Sequence, residues 1–359
     1  PKPLPRFSIP ILFMSFSYNH LASYSLKPYG SIFKFVVIVN LFYIHFIFVR
    51  SNHQMLLQPP TMELTSTQWS VTGMYLECNA IQKKVTFGGS IFCVPLRSFN
   101  MLRPRIIPCL LIHNGGLVKT KNFSEPRYVG DPINAVRIFN EKEADELMIL
   151  DIDASVKGKE PNFKLIAKLA SECRMPLCYG GGITKVEQVQ HLINIGVEKV
   201  AISSAAIARP SLVADMANAV GSQSITVVLD IRKRQRLMSS KYEVCTHNAR
   251  QSHTTDFLTL ISEFQKQGAG EIVINSVDRD GIMEGYDLEL AAKVKSLAKV
   301  PVTFLGGAGS LEDLSSLVSL VGIVGAAAGS LFVFKGKYRA VLISYPTPAQ
   351  KFEMCQNII

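Results

Sequence analysis

The chain has 359 residues, 48% of them apolar and 18% charged, which is enough to bury one or two cores and excludes a disordered polyelectrolyte. The formal net charge of +10 is uneven: residues 1–100 hold eight Lys/Arg and two acids, so the remaining 259 residues carry only +4, and the basic balance does not point to nucleic acid. Seven scattered cysteines with no CxxC argue against a disulfide framework and for a reducing compartment, here the cytoplasm.

Residues 1–100 differ in texture from the rest. They begin at Pro1, are rich in Phe, Tyr and Ser, and sustain neither helical nor alternating periodicity. Ser31–Val49 is long enough to span a bilayer, but Lys34, Asn40 and His45 are costly there, and it starts too far in for an ordinary signal peptide. Three readings compete for this segment: a stretch upstream of the functional protein, a membrane anchor, or a mobile or partner-binding extension. The first is preferred, because Met101 opens a coherent domain.

From Met101, short apolar runs alternate with amphipathic stretches. The strand candidates are Ile106–Ile112, Glu146–Asp151, Pro176–Gly180, Lys199–Ser203, Ser224–Asp230, Glu271–Ser276, Pro301–Leu305 and Gly322–Ala327. The helix candidates are Pro132–Ala144, Phe163–Glu172, Val186–Ile195, Pro210–Val220, Thr255–Gln267, Leu288–Leu297 and Leu311–Leu320, with a tail over 347–359. Eight strands each followed by a helix, over residues 101–346, read as a (β/α)8 TIM barrel of class α/β. A doubly wound open sheet would need a reversal in strand order, and nothing marks one.

The second half echoes the first. Gly180-Gly181-Gly182 ends strand three and Gly306-Gly307 follows strand seven. Ser203-Ser204 closes strand four, and Gly329-Ser330 closes strand eight. A repeat of half the domain means two half-barrels. Glycine turns let backbone N–H groups close on an anion, and the helix that follows favours negative charge. Gly181, Gly182, Ser203 and Ser204 are expected to hold one phosphate, and Gly306, Gly307, Gly329 and Ser330 a second. A single glycine turn is weak evidence, since such turns are often steric. Two copies at matched positions imply a ligand with a phosphate at each end.

Arg105-Ile106-Ile107-Pro108-Cys109-Leu110, Gly115-Gly116-Leu117-Val118-Lys119, Gly130-Asp131-Pro132, Asp145-Glu146-Leu147, Gly180-Gly181-Gly182-Ile183, Gly221-Ser222-Gln223, Gly268-Ala269-Gly270-Glu271 and Asp278-Arg279-Asp280-Gly281 occur in order across the domain. This series resembles the cyclase subunit of imidazole glycerol phosphate synthase. The resemblance implies a (β/α)8 barrel with two phosphate sites. It also implies a glutaminase partner on the N-terminal face, ammonia passing through the barrel, and a cyclisation that forms imidazole glycerol phosphate at the C-terminal mouth. It assigns catalytic roles to Asp230, Lys119 and Asp280, and further matches Asp151 and Asp278. Arg105, Glu146, Lys199 and Glu271 match the family's salt-bridged ammonia gate. A solvated rim is the plain alternative for these four charges. A strand-end carboxylate capping a turn is the plain alternative for Asp230.

One departure bears on the chemistry. The family's first catalytic aspartate falls in Cys109-Leu110-Leu111, where this chain has Leu111. Leucine neither donates nor accepts a proton, so the acid–base pair with Asp230 is incomplete. His113 and Asn114 lie beyond the strand with no marked partner, so neither is expected to replace it. This combination resembles a divergent branch from surface-polysaccharide gene clusters, in which the barrel supplies ammonia to a separate sugar amidotransferase. The expected partners are thus a glutaminase subunit, a phosphorylated small molecule and, in the second reading, that amidotransferase. No nucleic acid, membrane, metal or cofactor is expected.

Overall fold

Alternating residues of Arg105–His113 turn to opposite faces, yet residues on both faces are buried, because a barrel strand packs against an interior on one side and helices on the other. A computed structural model of the chain describes residues 103–234 and 242–356, together with the course of eight strands within residues 1–100. It divides into two units, Pro1–Phe99 and Asn100–Ile359. In the first unit, one antiparallel sheet joins His20–Leu26, Phe33–Asn40 and Tyr43–Arg50. A second runs through five strands between Met62 and Val94. Most of Ser31–Val49 is therefore a β-hairpin, and no helix among the described residues is long and apolar enough to cross a membrane.

The second unit is a closed barrel. Its strands are β1 (Arg105–His113), β2 (Leu147–Asp151), β3 (Leu177–Gly180), β4 (Lys199–Ile202), β5 (Ile225–Lys233), β6 (Glu271–Ser276), β7 (Val302–Leu305) and β8 (Gly325–Ala328). Each pairs in parallel with the next, and β8 closes on β1 with Gly325 opposite Arg105. Inside lies a small apolar cluster of Ile107, Cys109, Met148, Cys178, Ala201, Val228, Val273, Leu305 and Ala327, with Leu111 and Leu150 against it. Outside, residues of opposite parity such as Leu110, Ile149, Val227 and Ile274 pack against the helical ring.

That ring comprises α1 (Pro132–Glu141), α2 (Phe163–Glu172), α3 (Val186–Asn194), α4 (Ser204–Ala208), α5 (Ser211–Val220), α6 (Phe257–Lys266), α7 (Leu288–Leu297), α8 (Leu311–Val321), α9 (Ser330–Val333) and α10 (Pro348–Gln356). Local chemistry fixes several starts. Asp131 accepts from the Asn134 N–H with Pro132 in the first turn, and Ser310 and Asp313 form a reciprocal capping box. Such a cap stabilises a helix by about 1 kcal/mol.

Most expected elements shift by a residue or two, and some departures have a clear cause. Helix α1 stops at Glu141 because Glu143 takes φ +52°, which ends helical geometry. Gly322 terminates α8 at φ +74° and so does not belong to β8. Two antiparallel excursions went unforeseen: Gly116–Lys121 with Ser124–Gly130 after β1, and Tyr242–Thr246 with Gln251–His253 after β5. The expected tail contains α10, tied down by Lys351 to Asp145 at 2.7 Å. Just before it, the Tyr345 hydroxyl donates to Ile106 O at 2.8 Å.

Candidate functional site

The N-terminal face of the barrel is closed by four side chains. Arg105 begins β1, Glu146 precedes β2, and Lys199 and Glu271 begin β4 and β6. Arg105 pairs with Glu146 and, through Nη2, with Glu271 Oε1 at 2.6 Å. Lys199 Nζ reaches Glu146 Oε2 and Glu271 Oε2, both at 2.8 Å. The Thr303 hydroxyl donates to Glu271 as well. Two cations and two anions thus alternate around a ring with no net charge. Glu146 and Glu271 are 2% and 4% exposed, so this is not a solvated rim. Burial pushes the Glu271 carboxyl up, but the Arg105 hydrogen bond and the charges of Arg105 and Lys199 outweigh it and hold it at about 2.

Above the ring lies the apolar interior. Beyond that, at the C-terminal ends of the strands, a cavity of about 410 Å³ opens. Every residue expected to bind phosphate lines it: Gly181, Gly182, Ser203 and Ser204 from one half, Gly306, Gly307, Gly329 and Ser330 from the other. The half-barrel repeat extends to backbone shape. Gly181 and Gly182 sit at φ +124° and +72°, Gly306 and Gly307 at +94° and +114°. A Cβ on Gly182 would come within 2.4 Å of Lys159 O, and one on Gly307 within 2.2 Å of Gly285 O, so side chains are barred from both turns. Helices α4 and α9 start beside them, and their first N–H groups lack acceptors within the helix. The buried Ser203 hydroxyl has no hydrogen-bond partner.

Lys119, Asp230 and Asp280 line the same cavity. Lys119, only 6% exposed, comes from the hairpin after β1 and donates to Cys109 O at 2.7 Å. Its tip lies against the second glycine cradle, since a Cβ on Gly329 would fall 2.0 Å from Nζ. Burial lowers its ammonium pKa, partly offset by Cys109 and Asp280. Asp280 accepts from Thr120 Oγ1 at 2.7 Å and fastens that hairpin to the end of β6; burial raises its carboxyl pKa. Asp230, on β5, is pushed up to about 6, first by burial and then by the charge of Asp280, against the lowering hydrogen bond from Asn275. Leu111 lines the cavity from β1 and offers no proton-transfer group.

Asp151 also lines the cavity, and it and Asp278 both hold backbone N–H groups. Asp151 accepts from the Asp153 and Ala154 N–H groups, and Asp278 from Lys233 N at 2.6 Å. The expectation that His113 and Asn114 lack partners is corrected. His113 is the last residue of β1 and its Nδ1 lies 2.7 Å from Asp153 Oδ1, while Asn114 N donates to Asp153 Oδ2 at 2.8 Å. The β1–β2 pairing brings Asp153 alongside, a contact between residues 40 apart that no local pattern signals.

Polar residues that line the cavity without having been expected there include His247, Asn248 and Asn275. The first two ride the unforeseen hairpin after β5, at φ +53° and +55°. Asn275 was legible in principle, because it shares the alternation of Glu271 and Val273 on β6. No group of three His, Cys, Asp or Glu side chains among the described residues is placed to hold a metal ion.

Comparison with known proteins agrees with this architecture. A family model for "Histidine biosynthesis protein" matches residues 105–339. The chain is 55% identical over 256 residues to the Vibrio vulnificus protein named "Putative imidazole glycerol phosphate synthase subunit hisF3", covering 71% of this chain and 98% of that one. It is 54% identical over 251 residues to a Leptospira borgpetersenii protein named "Putative imidazole glycerol phosphate synthase subunit HisF", covering 70% and 98%. Identity is 40% over 234 residues to "Imidazole glycerol phosphate synthase subunit HisF" of Hyphomonas neptunium, covering 65% and 91%. With its closed eightfold barrel and paired glycine turns, the chain belongs to the histidine biosynthesis protein family, in the company of imidazole glycerol phosphate synthase HisF subunits.

Proposed function

We propose that this barrel receives ammonia from a glutaminase docked beneath the ring of Arg105, Glu146, Lys199 and Glu271. The ammonia is used at the C-terminal mouth on a small molecule with a phosphate at each end, in cyclase chemistry of the imidazole glycerol phosphate synthase type. The observation that carries this is a charge-neutral ring closing one end of an apolar interior whose other end opens on two matched glycine cradles. An apolar barrel interior admits a small neutral molecule far more readily than an ion. Asp230 would serve as general base, Lys119 would hold the hairpin over a phosphate, and Asp280 would fix that hairpin.

Leu111 favours a second reading. With no acid on β1, the barrel would pass ammonia to a separate sugar amidotransferase in surface-glycan synthesis. Both readings require the glutaminase, and the reaction at the mouth separates them. The test mixes the full chain with its cognate glutaminase at about 10 μM each, a level that saturates a complex with a Kd of 1 μM or tighter. A stoichiometric complex with faster glutamine hydrolysis is expected. Absence of both overturns the ammonia reading. Formation of imidazole glycerol phosphate from the family's nucleotide then selects the first reading over the second.

A further inference from the structure

Strands β5 and β6 run side by side, with Asp230 opposite Asn275. On their inward faces they carry the same sequence of chemistries. Thr226 and Glu271 stand near the barrel floor, Val228 and Val273 follow in the apolar cluster, and Asp230 and Asn275 come next, at the cavity. Anything rising from the ring along these strands meets this pair as its first polar groups.

The pair is incomplete as a hydrogen-bonding unit. Asn275, 6% exposed, donates from Nδ2 to Asp230 Oδ1 at 2.9 Å. Its amide oxygen is buried and accepts nothing. That oxygen lies near the turn after β7, where a Cβ on Gly306 would come within 3.3 Å of it. A buried acceptor without a donor is costly, and native structures seldom leave one unexplained. Here the carboxylate of Asp230 is hydrogen-bonded to the Asn275 amide, and both line the same cavity as Asp280, whose charge acts on Asp230. The unpaired Asn275 oxygen beside the Asp230 carboxylate suits a small ligand rich in hydrogen-bond donors.

We propose that Asn275 and Asp230 form a receiving site for ammonia or ammonium at the inner end of the mouth cavity. N–H groups of the ligand donate to Asn275 Oδ1 and to the Asp230 carboxylate, while Asn275 Nδ2 keeps the carboxylate oriented. Asn275 is a positioning residue in this arrangement. The inference rests on the reading that ammonia travels through the barrel, but added ammonium reaches the pair from the open mouth with no gate or glutaminase involved. A failure at this site is therefore distinguishable from a failure of that reading.

The experiment follows the side-chain carboxyl carbon of Asp230 by NMR in the full chain labelled at aspartate, assigned by its loss in Asp230→Asn. Ammonium chloride is titrated against sodium chloride and tetramethylammonium chloride at matched ionic strength. A saturable shift with ammonium alone is expected. Asn275→Leu, which fills the same space without an acceptor, should weaken the response at least tenfold; Asn275→Thr, which restores an oxygen, should recover part of it. Equal responses to sodium or tetramethylammonium would overturn the proposal, as would no saturable shift in the unsubstituted chain. The unsubstituted titration decides the matter even if Asn275→Leu does not fold.

Discussion

Arg105 and Glu271 are joined across the barrel floor, from the first residue of β1 to the first of β6, by Arg105 Nη2 donating to Glu271 Oε1 at 2.6 Å. The bond spans 166 residues of sequence and locks non-adjacent strands, so the ring closes the floor and also clamps the barrel.

Arg105→Ala should therefore destabilise the fold. Glu146 and Glu271 would stay buried with Lys199 as their remaining strong cation. The loss should be about 3 kcal/mol, the low end for breaking a buried pair, since Arg105 keeps some solvent contact. Urea denaturation of both forms near neutral pH measures it. A difference under about 0.5 kcal/mol, the usual range for a surface change, would rule out the clamp.

The same ring predicts an acid limb. Glu271 is held at about 2 in the folded state, below the ordinary unfolded carboxylate near ~4.3. A depressed folded pKa adds stability above the unfolded value and loses it as pH falls through the folded one. Stability should thus drop between about pH 4 and pH 2, and Glu271→Gln should flatten that limb. Denaturation midpoints across this range check it.

Asp230 predicts the opposite slope. Its carboxyl is raised to about 6 by burial, so the protonated form suits the fold. The protonated group's contribution to stability is fully present below the unfolded value of ~3.9 and is lost as pH rises through about 6, so the charged group weakens the barrel at neutral pH. Asp230→Asn should stabilise the fold at pH 8 by on the order of 1–3 kcal/mol, with the gain fading below about pH 4. A gain independent of pH would assign the effect to packing instead.

The architecture was legible because a parallel barrel writes each strand as a short apolar run and each helix as a periodic one. Helices α2 and α7 end where periodicity places them, and the half-barrel repeat marked both glycine cradles. The hairpins after β1 and β5 were not legible. Ser124–Gly130 is largely exposed and polar, so no apolar signature announces it, and Asn114, Asn122 and His247 turn through positive φ that sequence alone does not require. The resemblance to the synthase cyclase subunit named the ring's four members, but that two cations share both carboxylates is a fact of closure between β1 and β8. The unpaired Asn275 oxygen depends on how β6 packs against β7, which no local pattern encodes.

Residues 1–100 invite a separate test. The family match begins at Arg105, and the relatives are covered almost completely while this chain is covered by about 70%. A chain beginning at Met101 should be soluble and unfold in one cooperative transition, measured by circular dichroism against the full chain. Aggregation of the shorter form alone would make the first unit structural.

The decisive chemical test concerns Leu111. It packs against the interior cluster and lines the cavity from β1, while Asp230 lines it from β5, the strand four further round an eight-stranded barrel. These two positions are where a donor and an acceptor of protons would stand on either side of a ligand, and one of them is aliphatic. A missing acid–base group typically costs 10²–10⁴-fold in rate, which is about 3–5 kcal/mol of barrier. Asp280 does not substitute, because its carboxylate is engaged by the Thr120 hydroxyl in fastening the hairpin after β1. His113 does not either, since its ring is held by Asp153. On the second reading, the unsubstituted chain with saturating ammonium should cyclise the family's nucleotide slowly or not at all, and Leu111→Asp should raise turnover by about tenfold or more. The new carboxylate would lie in the same cavity as Asp230, and like charge there should raise one of the two pKa values further, favouring a protonated acid beside an ionised base. Its activity should accordingly show a bell-shaped pH profile that the unsubstituted chain lacks. If the unsubstituted chain already turns over at on the order of 1 per second, the proton donor lies elsewhere in the mouth, and His247 is the first residue to replace.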